Sequence, residues 1–303
     1  MIETRDLSWS IGRHSRLEGL TISVAEGEVV GLLGPIHSGK STALKLLATL
    51  IAPTGGSASV AGHDLVGEPE EIRRRVGYLP FFMGLYDDMR VSEYIEFFAR
   101  CAQVDPERVL DRLLGLADLA DRADEYVDGL DREARQRLGL VRTLVHDPPV
   151  LLLDHPSIGL DLPACLRMRE LIGRVRGMGK TILACSNMMT DLVGLCDRIG
   201  VLHEGRLVAL GAAGEIAGRL GGGRLLELEL AGPAADIAAQ ARRHPAVLEA
   251  DAEEQYLLLS LDGRVVNPLE VVRQITEGVA EVVRLREHQV DARPLLRPIE
   301  AES

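Results

Sequence analysis

The residues with the most evident chemistry lie in the segment GLLGPIHSGKST, residues 31–42. Four residues separate Gly34 from Gly39, and Lys40 and Ser41 follow directly. A loop of this kind can turn its backbone N–H groups toward phosphate oxygens, and the positive end of a following helix adds to the attraction. At this spacing a lysine reaches the β- and γ-phosphates of a nucleotide, and a serine hydroxyl ligates Mg²⁺. The segment therefore predicts a nucleotide-phosphate site, with an ordinary strand-to-helix loop as the alternative.

The middle of this loop carries a bulky residue, His37. If residue 37 needs a positive φ, histidine costs about 1 kcal/mol more than glycine. Alternatively, the imidazole of His37 donates to a phosphate. The predicted nucleotide-binding residues of the segment are Gly34, Pro35, His37, Ser38, Gly39, Lys40, Ser41 and Thr42.

A second candidate group lies in VLLLDHPSIGLD, residues 150–161. Four apolar positions lead into Asp154, and we predict that Asp154 and Ser41 hold Mg²⁺ together. His155 follows directly, and a neutral imidazole can accept a proton, so His155 is a candidate catalytic base. It brings no negative charge to polarise water, and a nearby cation lowers its basicity. We therefore favour packing of His155, or a hydrogen bond made by its ring, over a role as a working base.

Apolar runs and periodicity predict the elements that position these residues. Strands are expected over 2–7, 20–24 and 28–33, at VGYLP, PVLLLD and KTILACS, and in a hairpin at IGVLHEGRLVALG. Helices are expected from Ser41 to about Ile51, over 91–119, over 131–145 and over 164–178. Strands that alternate with helices predict an α/β fold with a parallel sheet.

The C-terminal part has a pattern of its own. After GGGR at 221–224, a plausible linker, the order strand, helix, strand, strand, helix, strand predicts a small α+β domain of ferredoxin-like type. We therefore expect two domains, residues 1–220 and 221–303. The second contains no cluster of catalytic residue types.

Composition limits the classes of function. The 303 residues suit about two domains, and 46% hydrophobic with 26% charged residues is ordinary for globular proteins. With 3% aromatic residues, the core should be aliphatic. The formal net charge of −12 argues against nucleic acid or an anionic membrane as a broad-surface partner.

The four cysteines lack CxxC spacing and are expected to be free thiols. Without an apolar leader or a spanning segment, we expect a cytoplasmic chain that reaches a membrane through a partner.

Residues 1–220 resemble the nucleotide-binding subunit of ABC transporters, of the bacterial exporter type made with a separate membrane subunit. The resemblance rests on the segments GLLGPIHSGKST, VGYLP, GLYDDMRVSEYIEFFA, RQRLGLVRTLVHDPPVLLLD, GLD and CDRIGVLHEGRLVALG. It implies a P-loop NTPase fold of ABC type with a helical subdomain over about 80–145, and ATP with Mg²⁺ as cofactors. It also implies two nucleotide-binding domains that sandwich two ATP molecules, and docking of the surface near FFMGLYDDMRVSEY on a membrane-spanning subunit.

The chain departs from this family at the signature, which contacts the partner's ATP. Leu-Ser-Gly-Gly-Gln aligns with residues 130–134, where Asp131 replaces the serine and Glu133 the second glycine. At about 5 Å and an effective dielectric near 20, one carboxylate facing the γ-phosphate costs about 3 kcal/mol. We favour an ordinary, solvent-facing helix start with Asp131 as N-cap over a new phosphate-binding role for this segment. Arg132 would partly neutralise the carboxylates.

Three other family positions are also changed. The glutamine-loop position is Phe81, which cannot contact Mg²⁺ or water by hydrogen bonding and is expected to pack at the docking surface. The switch histidine is replaced by Asn187, which cannot exchange protons. The adenine-stacking aromatic of the family falls at Ile11, and Trp9, two residues away on the same strand face, is the substitute candidate.

Three functions stay open on the sequence. The favoured one is a degenerate ATP-binding subunit with weak or absent hydrolysis, docked on a membrane subunit as a homodimer or beside an active paralogue. The second is an active transport ATPase that uses His155 in place of the glutamate with which the family activates water, with Arg132 on the phosphate. The third is a non-transport scaffold with a P-loop fold.

Overall fold

The computed structural model describes residues 1–11, 14–192, 194–219, 224–261, 265, 267–277 and 280–288. Contacts between residues divide the chain into two units, 1–210 and 211–303. The predicted boundary after residue 220 and the glycines of the predicted linker, 221–223, lie outside the described residues.

The strands are numbered in chain order. They are β1 (Ile2–Ile11), β2 (His14–Leu20), β3 (Ser23–Val24), β4 (Val29–Leu33), β5 (Gly55–Val60), β6 (His63–Asp64), β7 (Val76–Leu79), β8 (Val150–Asp154), β9 (Thr181–Ser186), β10 (Arg198–His203), β11 (Arg206–Ala212), β12 (Arg224–Leu230), β13 (Val247–Glu253), β14 (Tyr256–Leu261) and β15 (Val282–His288).

The α-helices are numbered in the same way. They are α1 (Lys40–Leu47), α2 (Pro69–Arg73), α3 (Val91–Cys101), α4 (Pro106–Leu116), α5 (Arg132–Arg142), α6 (Leu162–Gly177), α7 (Met189–Leu192), α8 (Ala213–Arg219), α9 (Ala235–Ala241) and α10 (Pro268–Thr276). Among the helices described, none combines the length and the apolar character that crossing a bilayer requires.

The first unit is built on a six-stranded sheet in the order β11-β10-β4-β9-β8-β7. Its strands from β10 to β7 pair in parallel. Every residue of β4, β8 and β9 is buried, as in parallel sheets covered on both faces, and this explains their uninterrupted apolar sequences. The predicted hairpin is present between β10 and β11, and its turn residues Glu204 and Gly205 have φ of 47° and 85°.

A second sheet, in the order β2-β1-β5-β6 with β3 on β1, was only partly predicted. The strand expected over 20–24 is wrong, because β2 ends at Leu20 and β3 holds only two residues. β1 continues to Ile11, past the predicted end at residue 7. The register between β1 and β2 shifts on both sides of Trp9, so the apolar residues lose the period of two that would reveal a strand.

The helical part of this unit lies between β7 and β8. One helical pattern over 91–119 becomes two helices, α3 and α4, because Asp105-Pro106 starts a new helix. The carboxylate of Asp105 accepts from the N–H of Glu107 at 3.2 Å, and proline is favoured at the first helical position. α5 follows near the predicted range, at 132–142.

The core of the first unit is aliphatic, as the composition predicts. Leu44 and Leu47 of α1 pack with Leu32, Leu152 and Leu183 from the parallel strands, and all five side chains are inaccessible to solvent. Burying one such side chain contributes about 1.5–3 kcal/mol. This packing fixes α1, and with it the preceding loop, against the end of the sheet.

The second unit contains a four-stranded sheet in the order β13-β14-β12-β15, with antiparallel neighbours throughout. The order strand, helix, strand, strand, helix, strand over β12 to β15 is the predicted ferredoxin-like order. Leu226, Leu228 and Leu257 of the sheet and Ile237 and Ile275 of α9 and α10 form its core.

Candidate nucleotide-binding site

The candidate site lies where three parallel strands end. The register pairs Leu33 at the end of β4 with Ser186 at the end of β9, and Asp154 at the end of β8 with Cys185. Parallel neighbours place their carboxyl ends at one edge of the sheet, where α/β proteins bind ligands. Segments more than a hundred residues apart in the chain therefore meet here.

The loop between β4 and α1 depends on its two glycines. A Cβ atom at Gly34 would lie 2.1 Å from the carbonyl oxygen of Leu202. Gly39 is the N-cap of α1 with φ of 99°, and a Cβ there would lie 2.5 Å from the carbonyl oxygen of Arg16. His37 adopts φ of 68°, so the predicted cost of about 1 kcal/mol relative to glycine applies. Its side chain is exposed and lines the cleft described below.

Lys40 is held inside the loop. Its Nζ donates to the carbonyl oxygens of Gly34 and Pro35, both at 2.8 Å, and to Ser38 Oγ at 3.2 Å. Burial lowers the pKa of Lys40, and the nearby Cys185 and Asp154 act in the opposite direction. The ammonium group thus lies beside the backbone that would surround a phosphate.

The carboxylate of Asp154 is 1% exposed and faces Ser41. Ser41 Oγ and Cys185 Sγ each donate to Asp154 Oδ1 at 2.8 Å. Oδ2 is buried and has no hydrogen-bond partner among the described residues. An unpartnered buried carboxylate oxygen is costly, and Mg²⁺ prefers hydroxyl and carboxylate oxygens as ligands. Ser41 and Asp154 therefore fit Mg²⁺.

His155 is 8% exposed and has φ of 55°. Its backbone N–H donates to the carbonyl oxygen of Cys185 at 3.0 Å, and its ring meets that of Phe81 edge to face at 5.4 Å. Burial, with the positive charge of Lys40, lowers the pKa of His155 to about 4. The imidazole is therefore neutral at physiological pH. An efficient general base has a pKa near the working pH, so an imidazole with a pKa of about 4 accepts a proton poorly near pH 7.

These groups line one cleft of about 560 Å³. Of the residues predicted from the sequence, Gly34 and Pro35 do not line it, although they shape the loop, whereas all the others do. Those are Trp9, His37, Ser38, Gly39, Lys40, Ser41, Thr42, Phe81, Asp154, His155 and Asn187. Phe81 is 50% exposed and contacts His155, so it belongs to this cleft.

Sequence reasoning missed several residues of the site. The cleft is also lined by Arg16, Ile36, Lys45, Ile51 and Ile158. Lys45 lies on α1 four residues after Ser41 and therefore on the same helix face, so helical periodicity could have identified it. Cys185, which contacts Asp154, was missed as well. Its position opposite Asp154 follows only from the register of β8 and β9.

The signature segment makes contacts of its own, outside the cleft lining. Asp131 is the N-cap of α5, as the favoured interpretation predicted, and its Oδ1 accepts from the N–H of Ala134 at 2.8 Å. The carboxylate of Glu133 accepts two hydrogen bonds from the Arg167 guanidinium, one from Nε at 2.6 Å and one from Nη2. The Arg132 guanidinium lies so close to Gly159 that a Cβ there would be 2.2 Å from Nη2.

Comparison with known proteins places this site in a family. The family model described as "ABC transporter" matches residues 17–158. ABC transporter ATP-binding protein NatA of Bacillus subtilis is 34% identical over 197 residues, which cover 64% of this chain and 80% of that protein. Nod factor export ATP-binding protein I of Burkholderia orbicola is 38% identical over 214 residues, or 70% of each chain.

Solved structures agree on the fold. The ATP-binding subunit of an ABC transporter superposes with a TM-score of 0.64 at 29% identity, and the match covers 71% of this chain and 91% of that one. The predicted P-loop fold is thereby confirmed. Together with the phosphate loop and the Ser41–Asp154 pair, these matches show that the chain belongs to the ATP-binding subunits of ABC transporters.

Proposed function

We propose that this ATP-binding subunit binds Mg-ATP in the cleft at the ends of β4, β8 and β9, but hydrolyses it slowly or not at all. Its role is then structural or regulatory within the transport complex. In such a site bound Mg²⁺ neutralises phosphate charge. The chain's own groups position the nucleotide: Lys40 at the phosphates, Ser41 and Asp154 at the metal, and Trp9 at the base.

The main support for slow hydrolysis is the shortage of carboxylates in the cleft. Of the described residues that line the cleft, Asp154 is the one carboxylate. It is committed to Ser41 and to the proposed metal, so no second carboxylate remains there to activate water. The adjacent residue is His155, whose pKa of about 4 makes it a weak base. Loss of a general base typically lowers the rate by 10²–10⁴-fold.

The signature segment supports the same proposal. In a family-type dimer this segment would face the partner's ATP with Asp131 and Glu133. Asp131 is paired with Arg122 at 3.2 Å as well as with the helix N-terminus, and Glu133 is paired with Arg167. The cost of about 3 kcal/mol per bare carboxylate is therefore an upper bound. These side chains are engaged in intramolecular contacts instead of offering a hydroxyl to a phosphate.

Docking on a membrane-spanning subunit is proposed for the exposed aromatic side chains of Phe82, Tyr86 and Phe97. Phe82 is 84% exposed, and the exposed rings of Tyr86 and Phe97 meet edge to face at 5.5 Å. A contiguous exposed apolar patch is typical of an interaction surface. The chain would then lie at the inner face of the cell membrane through its partner. Relatives with export or resistance in their names, such as the Nod factor protein above and daunorubicin resistance ATP-binding protein DrrA3 of Streptomyces coeruleorubidus, favour an exporter.

The second candidate function is an active ATPase that uses His155 as base. The neutral imidazole of His155 lines the cleft beside Asp154, which favours this alternative over one without any base. We propose two possible assemblies for this chain: a homodimer, or a heterodimer with an active ATP-binding paralogue. The names of the relatives support transport over a scaffold role.

Equilibrium binding with a fluorescent ATP analogue and Mg²⁺ tests the binding half of the proposal. We expect saturable binding that Lys40→Ala weakens by tenfold or more, roughly the effect of losing a charged hydrogen-bonding partner. Arg108→Ala, which removes an exposed cation outside the cleft, is the control and should bind within about threefold of wild type. Equal binding by wild type and Lys40→Ala would contradict the proposal.

His155→Glu tests the hydrolytic half and should leave turnover low, because the signature is altered as well.

A further inference from the structure

At the proposed magnesium position, Asp154 belongs to a cluster of three side chains, and Mg²⁺ does not need the other two. A carboxylate oxygen of Asp154, a ring nitrogen of His155 and Cys185 Sγ all lie within 4.8 Å of one another, and all three residues are buried. Mg²⁺ takes oxygen ligands and has little affinity for thiolate or imidazole. The thiol and the imidazole therefore have no part in the proposed binding of Mg-ATP.

We propose that Asp154, His155 and Cys185 form a binding site for a thiophilic divalent cation of the Zn²⁺ class. One carboxylate, one imidazole and one thiolate are a donor set that Zn²⁺ accepts in tetrahedral sites with an open fourth position. Asp154 and His155 line the cleft, so the fourth ligand comes from there, as water or as a nucleotide phosphate oxygen.

Two observations favour a cation at this place. Asp154 Oδ2 is buried without a partner among the described residues and would gain one. Cys185 Sγ already lies 2.8 Å from Asp154 Oδ1, so the sulfur points at the carboxylate.

The proton balance of binding is fixed by the thiol. Cys185 Sγ donates a hydrogen bond to Asp154 Oδ1, so the thiol carries its proton before the metal arrives. The S–H bond breaks, the S–metal bond forms, and one proton passes to solvent for each cation bound. No oxidant or reductant takes part.

The proposal rests on the proposed magnesium site only through Asp154, because the two cations would share that carboxylate. Zn²⁺ bound here would exclude Mg²⁺ from the same oxygen. Such a site would make nucleotide binding sensitive to Zn²⁺. This sensitivity depends on the thiol of Cys185, so a serine or threonine at that position would not give it.

Co²⁺ titration of the purified full chain without nucleotide tests the site, since Co²⁺ reports thiolate ligation by its absorption. We expect the thiolate-to-cobalt charge-transfer band and the intense visible bands of tetrahedral Co²⁺, with displacement by Zn²⁺. Cys185→Ser should abolish the charge-transfer band and lower Co²⁺ affinity by about tenfold or more, since even outer-shell partners of a metal are worth roughly 10–100-fold. Cys101→Ser, which removes an exposed thiol, should leave both unchanged.

His155→Asn provides the second variant. Asparagine tolerates the positive φ of this position, so the fold is kept while the imidazole is lost, and the visible bands should change. Lys40→Ala should keep the cobalt spectrum while it weakens nucleotide binding, which separates this proposal from the proposed function. A weak octahedral Co²⁺ spectrum, or a charge-transfer band that survives Cys185→Ser, would overturn the inference.

Discussion

Ser41 Oγ lies 2.8 Å from Asp154 Oδ1, although 113 residues separate the two in the chain. α1 brings Ser41 to the sheet edge from one side, and β8 ends there in Asp154. This pair is the connection between the phosphate loop and the proposed metal, so it is the natural place to test whether the cleft works with Mg²⁺.

Ser41→Ala should make nucleotide binding insensitive to Mg²⁺. The hydroxyl is one of the two proposed protein ligands, and its loss should weaken Mg-ATP binding by about tenfold, the equivalent of 1.4 kcal/mol. Binding of a fluorescent ATP analogue, measured with Mg²⁺ and with EDTA, gives the comparison. Ser41→Thr keeps the hydroxyl and should retain the Mg²⁺ effect. An unchanged Mg²⁺ effect in Ser41→Ala would remove Ser41 from the metal site.

Asp131→Ala should lower the free energy of unfolding by about 0.5–2 kcal/mol, because the N–H of Ala134 loses its capping partner. Asp131→Ser keeps an N-cap and removes the charge, so its stability should lie within about 0.5 kcal/mol of wild type. Urea denaturation of the three proteins measures the difference. If Asp131→Ala is as stable as wild type, the capping role is wrong.

The stability of the protein should fall as the pH is lowered from about 6.5. Burial, assisted by the charge of Lys180, lowers the pKa of His146 below 6.5, so the unfolded chain binds a proton that the folded chain does not. His155, with a folded pKa of about 4, acts in the same direction. Between the folded and unfolded pKa values each histidine contributes a slope of up to about 1.4 kcal/mol per pH unit.

His146→Gln isolates one of these two contributions. The amide of glutamine can replace the contact of the ring with the carbonyl oxygen of Val76, yet it does not titrate. The unfolding free energy of this variant, measured at several pH values between 4 and about 7, should depend less on pH than that of the wild type. Identical pH profiles would show that His146 has an ordinary pKa in the folded state.

The four cysteines should differ sharply in alkylation. Cys101 is exposed and should react with iodoacetamide in the native protein, whereas Cys185 and Cys196 are buried. Burial also raises the pKa of Cys196, to about 12, so its reactive thiolate is scarce at neutral pH. Peptide mass spectrometry after timed alkylation gives the order. Rapid labelling of Cys196 in folded protein would show that this part of the chain opens.

The sequence predicted the elements whose signal is local. β4 and β8 read as continuous apolar runs because both faces of the sheet are covered, and the glycine spacing in the loop has one mechanical purpose. β2 was missed because the bulges around Trp9 disturb its pairing with β1, and the pairing partner is not visible in the sequence. Asp105-Pro106 is a typical helix start and could have indicated the break between α3 and α4. It was overlooked because the helical periodicity continues on both sides of it.

The site divides in the same way. Lys40, Ser41 and Asp154 follow from motifs, whereas the contact of Cys185 with Asp154 depends on strand register. The ion pair of Glu133 with Arg167 joins α5 to α6, and no local pattern indicates it. The sequence therefore predicted which residues could bind a nucleotide better than it predicted their neighbours.

We expect the cleft to bind Mg-ATP without turning it over efficiently. The decisive measurement is steady-state phosphate release by the purified wild-type chain, compared with Lys40→Ala at saturating Mg-ATP. Wild-type turnover should not rise above the Lys40→Ala background, although the wild type binds nucleotide. Turnover that clearly depends on Lys40 would contradict the claim and assign this chain to the active transport ATPases.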